Sequence, residues 1–295
     1  MKVLLTGANG QLGQALQKDV PKGIELVTRN RSQLDLANFD ACQAAVHEER
    51  PDWVLNAGAY TSVDQAESEP ELAHAVNAGA PAAFAKALKI EGGRLLQIST
   101  DFVFNGRQSS PYRPDQQPDP LGVYGASKAA GERVIREVFA DDPSALILRT
   151  SWVIGPVGQN FALTMLSLHQ QRKLLKVVSD QVGCPSSSLN LATACWQSIQ
   201  RSADGTVLPL VMHWSDAGST NWYQLAVAIG QIGQELGLIE TPAQVQPITT
   251  ADYPTPATRP SYSLLDCTST RSALHLKGEH WESALRTLLQ HVPLA

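Results

Sequence analysis

Tyr124 and Lys128 stand four residues apart in Val123-Tyr124-Gly125-Ala126-Ser127-Lys128. On a helix that spacing puts both side chains on one face, one turn apart. A lysine ammonium beside a tyrosine favours the phenolate, so it is expected to draw down a phenol pKa of about 10 in water. A tyrosine tuned in this way can exchange a proton near neutral pH. Y-x-x-x-K alone is a weak signal. Its weight depends on what the rest of the chain brings to that hydroxyl.

The first elements bring a phosphate cradle. A strand over Met1 to Thr6 runs into Thr6-Gly7-Ala8-Asn9-Gly10-Gln11-Leu12-Gly13, and a helix is predicted over Gln14 to Val20. Strand, glycine turn and helix in that order are the context of dinucleotide binding. Gly7 permits the tight turn, Gly10 lets backbone N–H groups approach a pyrophosphate, and Gly13 lets the helix pack on the strand. The helix N-terminus favours the phosphate charge. The second strand, Glu25 to Val27, ends in Thr28-Arg29-Asn30-Arg31. A carboxylate there would take the ribose 2′-hydroxyl of NAD, whereas two arginine forks suit a 2′-phosphate. NADPH is therefore the expected cofactor, with NADH as an alternative donor. The plain reading of the same residues is a solvated basic turn.

Further strands bring a carbonyl-binding wall. Pro51 to Ala59 reads as a buried strand ending in Ala57, Gly58 and Ala59, whose small side chains leave room for a ribose and nicotinamide. Ligands of open parallel sheets lie at the carboxyl ends of strands. Glu67 to Leu88 is mostly helical with a break near Gly79-Ala80-Pro81, and Asn77 on it reads as a buried polar residue bonding backbone. The strand Arg94 to Asp101 puts hydroxyls at its end. Thr100 is the first candidate to hydrogen-bond a carbonyl oxygen and Ser99 the second. Gln108 to Pro120 is a Pro-, Ser-, Asp- and Gln-rich surface loop leading to Tyr124. That helix continues to about Phe139, and Ala145 to Arg149 is another strand.

The pattern changes at Thr150. Helices are predicted over Asn160 to Arg172, Leu191 to Arg201, Asn221 to Leu236 and Trp281 to Gln290, with a strand over Leu208 to His213. The expected fold class is α/β: a Rossmann-type doubly wound parallel sheet with a smaller C-terminal α/β substrate domain. Residues 1–150 form the NADP(H)-binding domain, 151–295 the substrate domain, and residues about 188–214 return to the first. Thr241 to Pro260 carries five prolines, read as an ordered extended loop. Arg259, fixed between prolines, could grip a diphosphate bidentately.

Composition narrows the class. A net charge of −5 argues against a nucleic-acid partner. Apolar runs such as Ala145 to Leu148 are strand-length, so no membrane span is expected. Cys42, Cys184, Cys195 and Cys267 are scattered, without C-x-x-C or a His/Cys cluster, so neither a disulfide framework nor a zinc site is expected. Structure begins at the first residue, so no signal peptide is expected and the protein reads as cytoplasmic.

The G-x-x-G-x-x-G loop, with STDFVFNG (99–106), VYGASKAAGE (123–132), RTSWV (149–153), NFALTML (160–166), SDQVGCP (179–185) and DYPTPATRP (252–260), resembles the extended short-chain dehydrogenase/reductase family, in its branch acting on nucleotide sugars. The resemblance covers nearly the whole chain, including PDWVLNAGAYTSVDQAESEPELA (51–73). It implies NADPH-dependent reduction of the C4 ketone of a dTDP-linked sugar, dTDP-4-dehydro-L-rhamnose, to dTDP-L-rhamnose. Thr100, Tyr124 and Lys128 would be the catalytic set. Asn9, Gln11 and Leu12 would join the loop glycines at the cofactor, with Asp35 and Leu36 at the adenine. Trp152, Asn160 and Arg259 would hold the sugar and diphosphate, with Thr61, Val63, Asp101 and Gln181 as further substrate-side candidates. Some relatives hold Mg2+ between subunits with acidic residues. Here Ser186 to Asn190 carries no carboxylate, though Glu282 could match another ligand, so the resemblance leaves Mg2+ open and the assembly as monomer or homodimer. Two alternatives carry other chemistry: a nucleotide-sugar epimerase or dehydratase, separated by net NADPH consumption, and a non-catalytic regulatory subunit of the same fold, for which loss of the tyrosine or lysine would speak.

Overall fold

The computed structural model describes residues 1–140 and 142–292; residues 293–295, the end of the expected second domain, lie outside the described residues. Its centre is a six-stranded sheet. The strands are β1 (Lys2–Thr6), β2 (Glu25–Arg29), β3 (Trp53–Asn56), β4 (Arg94–Thr100), β5 (Ala145–Thr150) and, after four short strands β6 (Val153–Ile154), β7 (Leu174–Val178), β8 (Val182–Gly183) and β9 (Ser186–Ser187), β10 (Val211–Trp214). The order is β10-β5-β4-β3-β1-β2, and every pairing is parallel. The chain leaves β1 for β2 on one side and crosses back to β3 on the other. That reversal opens a crevice at the carboxyl ends of β1 and β3.

A parallel sheet is covered on both faces, so its strands are apolar throughout rather than alternating. Successive residues of β1 serve different layers. Val3 and Leu5 pack beneath the helices α1 (Gln11–Lys18) and, after the helices named next, α8 (Ser188–Ala203), while Leu4 packs with the opposite layer. That layer is built from α2 (Phe39–Glu49), the short α3 (Val63–Ala66), α4 (Pro70–His74), α5 (Ala80–Glu91) and α6 (Val123–Phe139). In the second half, α7 (Phe161–Gln171), β11 (Thr220–Asn221), α9 (Trp222–Glu235), β12 (Gln244–Ile248), α10 (Thr268–Leu274) and α11 (Trp281–Leu289) follow. Here α7, α9 and α11 enclose a separate apolar cluster around Leu225, Ile229 and Leu285. Residues 188–214 add α8 and β10 to the first sheet. All four cysteines are free and buried.

Several boundaries differ from the sequence reading. Helix α1 begins at Gln11, three residues earlier than expected, because Gly10 is already its N-cap. Strand β2 runs on to Arg29 because Leu5 and Thr6 continue the ladder with Thr28 and Arg29. The expected break near Gly79-Ala80-Pro81 is instead a π-helical turn, Ala75–Gly79, joining α4 to α5. Pro81 follows closely on that turn, and the widened turn accommodates a residue without an N–H.

Beneath α6, Arg149 and Glu132 form a fully buried bidentate pair at 2.6 and 2.9 Å, and Glu132 also accepts a hydrogen bond from Ser99 at 2.6 Å. The pair staples α6 to β4 and β5. Removing one partner strands the other charge in the core, which costs about 3–5 kcal/mol. Arg149→Leu is therefore expected to lower unfolding free energy by that amount in urea denaturation followed by far-UV circular dichroism. A loss below about 1 kcal/mol would show that the pair is not what holds the helix down.

Candidate active site

At the carboxyl ends of β1, β3, β4 and β5 lies a cleft of about 770 Å³. One end is the glycine loop. Gly7 has φ +66°, and a Cβ there would stand 2.6 Å from the Gly58 nitrogen, so the two loops close only around a bare backbone. A Cβ on Gly13 would meet the Gly7 carbonyl oxygen at 2.2 Å, so that glycine sets how near α1 lies to the loop. Gly7, Asn9, Gly10, Gln11 and Leu12 line the cleft, and Gly13 stands behind them. Ala57, Gly58 and Ala59 line the floor. This cradle of glycine backbone at a helix N-terminus fits a dinucleotide pyrophosphate.

The two arginines after β2 part company. Arg31 is exposed and lines the cleft. Arg29, still on the strand, ion-pairs with Glu49, which also takes Lys2 at 2.6 Å, and does not line the cleft. The Glu49 carboxyl is held below the usual carboxylate range by its bond to Lys2. Asp35 and Leu36 also stand off the cleft wall: Asp35 accepts a hydrogen bond from the Ala37 backbone, and Leu36 presses on Gly58.

Tyr124 and Lys128 lie in the first two turns of α6 and both face the cleft, beside Ser99, Thr100 and Asp101 from the end of β4. Their electrostatics differ from the sequence expectation. Burial pushes the Tyr124 phenol up to about 12; the Thr100 hydroxyl draws it down and the Asp101 carboxylate adds to the rise. The Lys128 ammonium donates to the Ile98 carbonyl at 2.7 Å instead of drawing the phenol down. Burial lowers Lys128 itself to about 8, against the pull of Glu132. Burial also raises Asp101 to about 7, while Thr100 donates to its Oδ1 at 3.1 Å. Asn77, in the π-helical turn, bonds both backbone groups of Tyr60 at 2.9 and 3.0 Å and donates to Ser127 of α6 at 3.0 Å.

Trp152, Asn160 and Arg259 bring the second half of the chain to the cleft, and Thr61 and Val63 of the first half line it as well. Asn160 also caps α7, accepting from the Leu163 N–H at 3.1 Å. Trp152 has φ +44°, a strained value for a bulky side chain. It stacks on Trp222 with ring centroids 3.7 Å apart, and Trp222 lines the cleft as well. Gln181 stands off the cleft and holds that pair from behind, accepting from Trp222 Nε1 at 3.1 Å. Sequence reasoning missed Trp222: it opens an amphipathic helix, and its residue type was the only clue that it faces a ligand. Arg259 makes a bidentate pair with Asp64 at 2.7 and 3.0 Å, a partner nothing in the spacing suggested.

Residues 186–190 do not fit a magnesium site. Ser186 is buried and accepts a hydrogen bond from Thr150, and Asn190 donates to Asp216 and Glu279. Glu282 lies on α11, lining a separate groove with residues of α9. Among the described residues no three His, Cys, Asp or Glu side chains are grouped to hold a metal, and no helix is long and apolar enough to cross a membrane.

The family model described as the RmlD substrate binding domain matches residues 1–293. A dTDP-4-dehydrorhamnose reductase of Aggregatibacter actinomycetemcomitans is 39% identical over 97% of this chain and 98% of its own length. The enzyme of the same name from Salmonella typhimurium is 35% identical over 98% and 97%. Among solved structures, the dTDP-4-dehydrorhamnose reductase of Bacillus anthracis in complex with NADP superposes with a TM-score of 0.87 at 34% identity, covering 97% of this chain and 98% of that one. With the cleft built as described and matches running end to end, this chain belongs to the RmlD family, whose members here are dTDP-4-dehydrorhamnose reductases of the extended short-chain dehydrogenase/reductase fold.

Proposed function

We propose that the protein reduces the C4 ketone of dTDP-4-dehydro-L-rhamnose with NADPH, giving dTDP-L-rhamnose. The observation that carries this reading is Tyr124, Lys128 and Thr100 on one wall of the cleft, facing Trp152 and Arg259 on the other. Residues 1–150 with α8 and β10 hold the cofactor, and the remainder supplies the sugar side. The glycine loop and the Ala57–Ala59 floor take the pyrophosphate and nicotinamide ribose, with Arg31 at the 2′-phosphate. NADPH, when bound there, supplies the hydride that the ketone carbon accepts.

The chain's own residues handle the oxygen. Tyr124 donates its proton to the ketone oxygen as negative charge grows there. A phenol held up to about 12 is fully protonated at neutral pH, which is the state a donor needs. Thr100 would offer a second hydrogen bond by turning its hydroxyl from Asp101 to the ketone oxygen, and Lys128, anchored on the Ile98 carbonyl, would hold the nicotinamide ribose hydroxyls. Trp152, backed by Trp222, gives the sugar a flat apolar wall, and Arg259 takes the diphosphate.

Tyr124→Phe is expected to cut kcat by about 10²–10⁴ while NADPH binding, read by cofactor fluorescence, stays within about twofold. A variant that kept most of its rate would sink the proton-donor assignment. Arg31→Ala should raise the KM for NADPH at least about tenfold more than that for NADH, because only NADPH carries the 2′-phosphate; equal losses would count against it. Lys128 is charged below about 8 and loses its proton as pH rises. The pH profile of kcat/KM should therefore fall above about pH 8. A flat profile to pH 10 would remove the charged lysine from the account. Assay with dTDP-4-dehydro-L-rhamnose against a GDP-linked keto sugar tests the nucleotide: NADPH should be oxidised with the first and not the second.

A further inference from the structure

The helix that carries Tyr124 starts badly on its own account. Its N-cap is Gly122, which has no side chain to receive the exposed N–H groups of the first turn. Glu67, 56 positions before Val123, fills that role: its Oε1 accepts from the Val123 N–H at 2.9 Å. A carboxylate at a helix N-terminus also meets the positive end of the helix dipole. The fit is close. A Cβ on residue 122 would stand 2.6 Å from that oxygen, so the carboxylate lies directly against the bare glycine backbone.

Three residues before Glu67, Asp64 grips the other side of the cleft. Both its oxygens accept from the Arg259 guanidinium, at 3.0 and 2.7 Å, and Oδ1 also accepts from the Ala257 N–H at 3.1 Å. Arg259 is further tied to Thr255 Oγ1 and the Ala257 carbonyl. The fork is held by its Nη atoms. The chain just ahead of Asp64 is itself fixed: Tyr60 bonds Asn77, and Asn77 bonds Ser127 on the Tyr124 helix. Val63 and Glu67 line a small joint with Tyr124, Ala257 and Pro260.

We propose that Asp64 and Glu67 are positioning residues: from one short segment they hold the Arg259 fork and the start of the Tyr124 helix in a common frame. This rests on the functional reading above. Asp64 acts through Arg259, orienting it for a diphosphate. Glu67 acts through the backbone of Val123, one residue before the proton donor.

The test pairs turnover with binding of dTDP alone, measured by calorimetry. Asp64→Asn should weaken dTDP binding and raise the sugar KM about tenfold, with kcat within about twofold. Glu67→Gln should do the reverse, lowering kcat about tenfold with dTDP binding unchanged, and Glu67→Asp should recover part of that loss. In a double-mutant cycle, Asp64→Asn should cost nothing further in dTDP affinity once Arg259→Ala is present. Losses that simply multiply, or tighter dTDP binding by Asp64→Asn, would overturn the proposal. Should either single variant fail to fold, Asp64→Glu and Glu67→Asp keep the charge and replace it. A wild-type protein that binds no dTDP fails the functional reading itself. The coupling is then read from thermal unfolding, where the Asp64→Asn and Arg259→Ala shifts must be non-additive for the brace to stand.

Discussion

The carbonyl of Ile98 is the point on which the site turns. It accepts from Lys128 Nζ at 2.7 Å and from Gln97 Nε2 at 2.7 Å. Gln97 in turn accepts from Asn56 at 2.7 Å, Asn56 accepts from the Thr6 hydroxyl at 2.5 Å, and that hydroxyl receives the Gly58 N–H at 3.2 Å. One line of hydrogen bonds thus runs across the strand ends, from the glycine loop to the lysine one turn below Tyr124. These groups are buried, so leaving any of them unpaired costs about 1–3 kcal/mol. The cleft's two working ends are held in register because neither can shift without breaking that line.

Burial then sets the protonation states. The same enclosure that lowers Lys128 to about 8 raises Asp101 to about 7 and Tyr124 to about 12. A phenol that was strongly acidic would be deprotonated in the resting protein and useless as a donor. A phenol that stays protonated until the ketone oxygen gathers charge suits ketone reduction. The sequence pairing of Tyr124 with Lys128 was informative about which groups meet. It misjudged the direction of the phenol shift, because spacing along a helix says nothing about what else takes up the ammonium.

What was legible in the sequence was local. The glycine loop after β1, the apolar strands, the Tyr124 helix and the hydroxyls at the end of β4 follow from pattern and spacing, and α8 and β10 were expected near the first sheet. What was hidden was pairing across long chain separations. Arg29 and Arg31 are indistinguishable as a basic turn until Glu49, on α2, claims one of them. Gln181 looks like a substrate contact until Trp222 takes its carbonyl. Nothing in the sequence pattern singles out Asp64 and Glu67, and only the fold shows one on Arg259 and the other on the Tyr124 helix. Helix boundaries slipped because Gly13 and Pro81 are tolerated inside helices, where composition alone suggests a start or a break.

The central claim is a net ketone reduction in this cleft, and following the label tests it most directly. The protein would be incubated with dTDP-4-dehydro-L-rhamnose and NADPH carrying deuterium at both C4 positions of the nicotinamide, and the sugar analysed by NMR. The account predicts dTDP-L-rhamnose carrying deuterium at C4, with one NADPH consumed for each sugar. A sugar product without deuterium at C4, or turnover without NADPH consumption, would contradict it.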